Sequence, residues 1–160
     1  MNIIYQILSF IINVVGIFIL MALFFILPLS LAAPAMWFPT FILAAIILYT
    51  WFSGRFRHKV LQKQEAVQPS LRDWIRVNGF VAIFFCFLNI PTTIAVLMSP
   101  LRFADAMRET LKQFGEKYEQ SFKPENLTAA SIVMLIYFIV LLVHVLWTFS
   151  LMKKHRNFFQ

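Results

Sequence analysis

Within the long apolar runs of this chain, one side chain of the acid–base type stands out, His144. It follows Tyr137 and Leu141 and precedes Thr148 at steps of four, three and four, so all four share one face of a helix. Asn13 and Asn89 lie in two other apolar runs. Ionisable groups at depth in a low-dielectric phase are costly and commonly mark function, which makes His144 the natural start. Buried, it can relay a proton, meet a substrate or ligate haem. A bis-histidine haem site needs two such residues and this chain supplies one. The expectation is therefore that Asn13, Asn89, Tyr137 and His144 are intramembrane polar contacts between helices, each bond worth about 0.6 kcal/mol. His144 stands as the single cofactor-binding candidate, and no cofactor is expected.

Other chemistry is sparse. Cys86 is the one cysteine, inside an apolar run, so neither an internal disulfide nor a multi-cysteine metal cluster is available. His58 and His155 sit among Lys and Arg, a setting that disfavours a bound cation. No Gly-rich phosphate loop, HExxH or GxSxG occurs, and the apolar runs hold no carboxylate. No catalytic residue and no metal ligand is assigned.

The elements that carry these residues follow from hydropathy. Of 160 residues, 61% are apolar and 13% charged, where a soluble domain carries about 25% charged. Four runs, 7–27, 35–52, 80–98 and 129–152, contain no Asp, Glu, Lys or Arg, and about 20 such residues cross roughly 30 Å of hydrocarbon as a helix. We read an all-α integral membrane protein, a four-transmembrane-helix bundle forming a single membrane domain over 1–160. The spans are placed at about 5–31, 35–53, 74–99 and 128–152, and a cytoplasmic loop at 54–73. Ser70 and Asp73 have capping-box spacing, which predicts that the third helix starts near Leu71. Pro91 should bend that helix, with Thr92 and Thr93 satisfying carbonyls there.

Charge orients the bundle. Arg55, Arg57, Lys59, Lys63, Arg72, Arg76, Lys153, Lys154 and Arg156 flank one side against Glu65 and Asp73, which places the whole net charge of +7 there. The 3–4 connection balances five basic with five acidic residues. Basic loops stay in the cytoplasm, so both termini are expected inside, at a bacterial inner (plasma) membrane. Trp51, Trp74 and Trp147 fit an aromatic belt on that side. The positive charge flanks apolar runs rather than covering a soluble face, which argues against nucleic acid as a partner.

Ser99-Pro100 opens an additional amphipathic outer-surface helix over 100–122. Phe103, Met107, Leu111, Phe114, Tyr118 and Phe122 recur at steps of four, four, three, four and four, within an arc of about 100°. Its charge is balanced, so anionic lipid does not explain its placement, and the stripe is expected to dock a partner. Phe52-Ser53 and Phe149-Ser150 precede basic His-containing triplets at equal spacing, a pattern that aromatic belts and basic anchors produce at unrelated helix ends. Chemically quiet spans and a docking stripe point to a non-catalytic accessory or structural subunit of a larger membrane complex, with lipid and other integral membrane subunits as partners. The alternatives are a small transporter, channel or lipid-binding membrane protein, and behind them an integral membrane enzyme or haem-binding subunit.

Overall fold

The computed structural model describes residues 3–112 and 124–160. Helix α1 spans Ile3–Ala32, α2 Trp37–Phe56, α3 Pro69–Met98, α4 Pro100–Lys112 and α5 Pro124–Lys154. Single turns over Pro34–Met36 and Arg156–Phe158 are 3-10, and Arg57–Gln62 forms a π-helical turn. Among the described residues the only β-type pairing is one isolated bridge, between Val67 and Phe159. Among the described residues four helices are long and apolar enough to cross a membrane, with mean hydropathies of 3.0, 1.7, 2.2 and 2.7 in chain order. Their outer faces are apolar as well: Phe18, Phe24, Phe25, Phe80 and Phe87 are all more than 60% exposed. An apolar surface of that extent is compatible with an integral membrane protein.

Each helix end has a local cause. Ala33 is extended (φ −131°, ψ 105°) because Pro34 follows it, and that breaks α1 from α2. The Trp37 indole N–H then donates to the Ser30 carbonyl at 2.6 Å, closing the α1–α2 hairpin. Helix α3 departs from the sequence expectation by starting at Pro69, not Leu71. Proline at the first helical position has no amide to waste. Asp73 pairs with Arg72 at 3.4 Å instead of closing a capping box with Ser70. Within α3, Thr92 and Thr93 donate to the carbonyls of Leu88 and Asn89 at 3.0 and 2.7 Å, beside the gap that Pro91 leaves in the ladder.

The segment expected as a loop over 54–73 is mostly helical, because it has its own apolar anchors. Phe56 and Val60, four apart, are 0% and 1% exposed, and they carry helix and π-turn through Gln62. Gln64 then turns the chain at a φ of 56°, the left-handed region, which costs a non-glycine residue roughly 1 kcal/mol. The C-terminal tail secures the stretch around Val67. The Val67 amide donates to the Phe158 carbonyl at 2.7 Å, and the Gln160 amide to the Val67 carbonyl at 3.1 Å. Phe159 stacks on Phe56 with centroids 5.9 Å apart.

Two compact units divide the chain, Met1–Phe85 with Val140–Gln160 and Cys86–Ile139. In the first, Ile12, Ile42, Ile46, Ile75, Leu141 and Val145 form the core. Helices approach closely at two glycines. A Cβ on Gly16 would lie 2.9 Å from Thr50 Cγ2, and one on Gly79 would lie 2.7 Å from Phe149 Cζ. In the second unit, α4 begins at Pro100 and the Phe103 amide donates to the Ser99 carbonyl at 3.2 Å. Ala104 is 1% exposed, while Phe103 and Leu101 are 37% and 66% exposed. Arg108 and Asp105 pair at 3.5 Å on this helix. Of the docking stripe, Phe114, Tyr118 and Phe122, with the rest of the expected helix to residue 122, lie outside the described residues, as does the side chain of Leu111.

Candidate functional site

Tyr5 and Ser9 on α1 are four residues apart and share a face, as do His144 and Thr148 on α5. With Tyr49 from α2 they meet in one buried cluster in the first unit, none more than 4% exposed. Ser9 Oγ is 2.9 Å from His144 Nε2, and the Tyr49 hydroxyl is 2.7 Å from Nδ1. The Tyr5 and Tyr49 hydroxyls are each 3.1 Å from Thr148 Oγ1. The Tyr5 ring lies flat against the imidazole, centroids 5.0 Å apart and planes within 7°.

Proton counting selects one arrangement. Thr148 has a single hydroxyl hydrogen and donates it to the His144 carbonyl at 2.7 Å. Its oxygen must therefore accept from both Tyr5 and Tyr49. Tyr49, having given its hydrogen to Thr148, accepts from Nδ1–H of His144, and Ser9 donates to Nε2. The imidazole is then the neutral Nδ1–H tautomer, and every hydroxyl hydrogen is used once.

A Ser–His contact with a third group on Nδ1 has the outline of a nucleophile–base pair. The third group here is a neutral phenol, where hydrolytic triads place a carboxylate that supports the imidazolium. Ser9 and His144 are closed to solvent at 4% and 1% exposure. Tyr5 alone of the five lines a described cavity, one of about 390 Å³ shared with Trp147, Lys154 and His155. The geometry serves to pin α1, α2 and α5 together.

Among the described residues Asn13 forms no hydrogen bond to His144, whose ring nitrogens are taken by Ser9 and Tyr49. Asn13 lies one turn beyond Ser9 on α1, its Oδ1 3.8 Å from a Cβ built on Gly54. Asn89 and Tyr137 belong to the second unit. The Tyr137 hydroxyl is buried with no hydrogen-bond partner among the described residues. A buried, unpaired hydroxyl costs about 1–3 kcal/mol. Tyr137→Phe should therefore leave the thermal midpoint in detergent unchanged or raise it, and a clear fall would show that the hydroxyl has a partner. His58 Nδ1 donates to Gln62 Oε1 at 2.9 Å and His155 Nδ1 to the Leu151 carbonyl at 3.0 Å, so each is held locally. Among the described residues no group of three or more His, Cys, Asp or Glu is placed to hold a metal ion.

Sequence reasoning singled out His144, placed Thr148 only on its helix face, and did not name Tyr5, Ser9 or Tyr49. The signal was present on α1, where Tyr5, Ser9, Asn13 and Gly16 form a stripe of polar or small residues at helical spacing. Comparison with protein-family models, with curated proteins and with solved structures finds no match.

Proposed function

We propose that this chain is a non-catalytic subunit of a larger membrane assembly. In this reading it sits in the inner membrane of a bacterium, with both termini and the basic 2–3 connection on the cytoplasmic side and α4 on the other. The observation that carries the reading is the closed cluster around His144. The acid–base side chain of the apolar runs is spent on the hydroxyls of two neighbouring helices, with both ring nitrogens engaged at 2.9 and 2.7 Å. Function is then assigned to surfaces. On α4 the Ala104 edge of the apolar stripe is buried while Phe103 stays 37% exposed, which leaves an apolar edge for another subunit.

The test is a Phe103→Ser/Leu111→Ser variant, extracted in mild detergent from its native membrane. Two apolar anchors together contribute about 3–6 kcal/mol, more than a hundredfold in a dissociation constant. The variant should insert normally and leave its complex, whereas Asp105→Asn, which breaks only the exposed pair with Arg108, should have little effect, since exposed pairs contribute about 0–1 kcal/mol. Retention of every native partner by the double variant removes the docking role from this helix.

A further inference from the structure

Where α2 gives way to α3, the first unit has an open cavity of about 340 Å³ between the π-turn and the segment that the C-terminal tail secures. Arg55 and Lys59, one turn apart, both line it, with Gln68 and Ser70 as neutral donors. No acidic side chain is among its lining residues. Two neighbouring cations are paired with carboxylates, Lys63 with Glu65 at 3.8 Å and Arg72 with Asp73 at 3.4 Å. Among the described residues neither Arg55 nor Lys59 joins such a pair. Ser70 belongs to the first turn of the 30-residue α3, whose N-terminal end adds partial positive charge on the same side. Phe52 and Trp74 form an aromatic wall, stacked with centroids 5.5 Å apart, and Trp74 is 50% exposed.

We propose that this cavity binds the phosphate of an anionic membrane lipid. Arg55 and Lys59 hold the anionic oxygens by charge-assisted hydrogen bonds, and the Phe52–Trp74 wall lies against the glycerol and upper acyl chain. A soluble phosphate offers the same oxygens, but it has nothing to set against an aromatic wall at the end of an apolar span. The cavity is preorganised: the left-handed turn at Gln64, the π-turn and the Val67–Phe159 bridge shape it without ligand. The site requires the chain to lie in a membrane, and it stands whether or not the chain is a subunit of a complex.

The test uses the full chain in neutral detergent, with bound lipids counted by native mass spectrometry. Dioctanoyl phosphatidylglycerol, dioctanoyl phosphatidylcholine and inorganic phosphate are the three probes. One phosphatidylglycerol should bind about tenfold or more tightly than phosphatidylcholine, and Arg55→Gln/Lys59→Gln should lose about tenfold or more of that affinity. Lys153→Gln/Arg156→Gln removes the same charge from the same end of the bundle and should lose less than about threefold. Each single substitution, Arg55→Gln or Lys59→Gln, should lose about threefold, so misfolding of the double variant leaves the result readable. Equal losses in the two double variants mean diffuse attraction and overturn the site. Equal binding of the two lipids overturns the anionic requirement. Displacement of phosphatidylglycerol by inorganic phosphate at comparable concentration assigns the cavity to a soluble ligand and overturns the lipid assignment.

Discussion

His144→Ala is expected to destabilise the bundle by about 3–5 kcal/mol, the largest single-residue effect in the described structure. Two penalties add. Removing a fully buried ring leaves a cavity beside the Tyr5 face that stacks on it at 5.0 Å. Tyr49 and Ser9 also lose the partners they meet at 2.7 and 2.9 Å, in a place closed to solvent. Ser9→Ala should cost about 1–2 kcal/mol, because it strands one buried ring nitrogen but opens little space. His144→Gln should fall between the two, since its amide offers a donor and an acceptor. Denaturation by SDS in mixed micelles, followed by circular dichroism, ranks the three. If His144→Ala unfolds at the wild-type midpoint, the cluster does not hold the three helices together. A loss of native activity in His144→Gln at unchanged stability would instead assign the imidazole a chemical role.

Gly16→Val should be the next most damaging change, at about 1–3 kcal/mol, through overpacking between α1 and α2. A Cβ there already lies 2.9 Å from Thr50 Cγ2. Thr50 cannot easily retreat, being 7% exposed with its hydroxyl bound to the Ile46 carbonyl at 2.9 Å. Relief requires the helices to separate, and the neighbouring Tyr5–Tyr49–Thr148 contacts would feel it. Gly79→Ala offers the comparison. Its Cβ would meet the tip of the Phe149 ring at 2.7 Å, the far end of a side chain that can swing aside. The same denaturation assay should show the larger loss for Gly16→Val. Equal losses, or none at Gly16, would mean that α1 and α2 are not held at this separation.

The four long apolar helices were legible because hydropathy is local and additive. Each run free of Asp, Glu, Lys and Arg must satisfy its backbone within itself, and a helix does that. Prolines at 34, 69 and 100 mark element starts by a mechanism confined to neighbouring residues, and each begins one. The segment after α2 was less legible. Its helical continuation depends on Phe56 and Val60 finding burial, and Phe56 finds it in part against Phe159, about a hundred residues away. The capping box at Ser70 and Asp73 failed for a related reason: a weak local preference yielded to proline and to Arg72.

The candidate site divides in the same way. His144 was conspicuous in the sequence because a titratable ring in an apolar run is rare and costly. Which groups satisfy it was not, since Ser9 and Tyr49 are 135 and 95 residues away and hydroxyls are common in apolar helices. Local pattern determined which segments form long apolar helices and which helix face carries polarity. Tertiary structure alone decided that Tyr5, Ser9, Tyr49 and Thr148 surround the imidazole while Asn13 does not. Pairings of about 0.6 kcal/mol each are too weak to leave a signature in local composition, and only the packing of α1 and α2 against α5 selects among them.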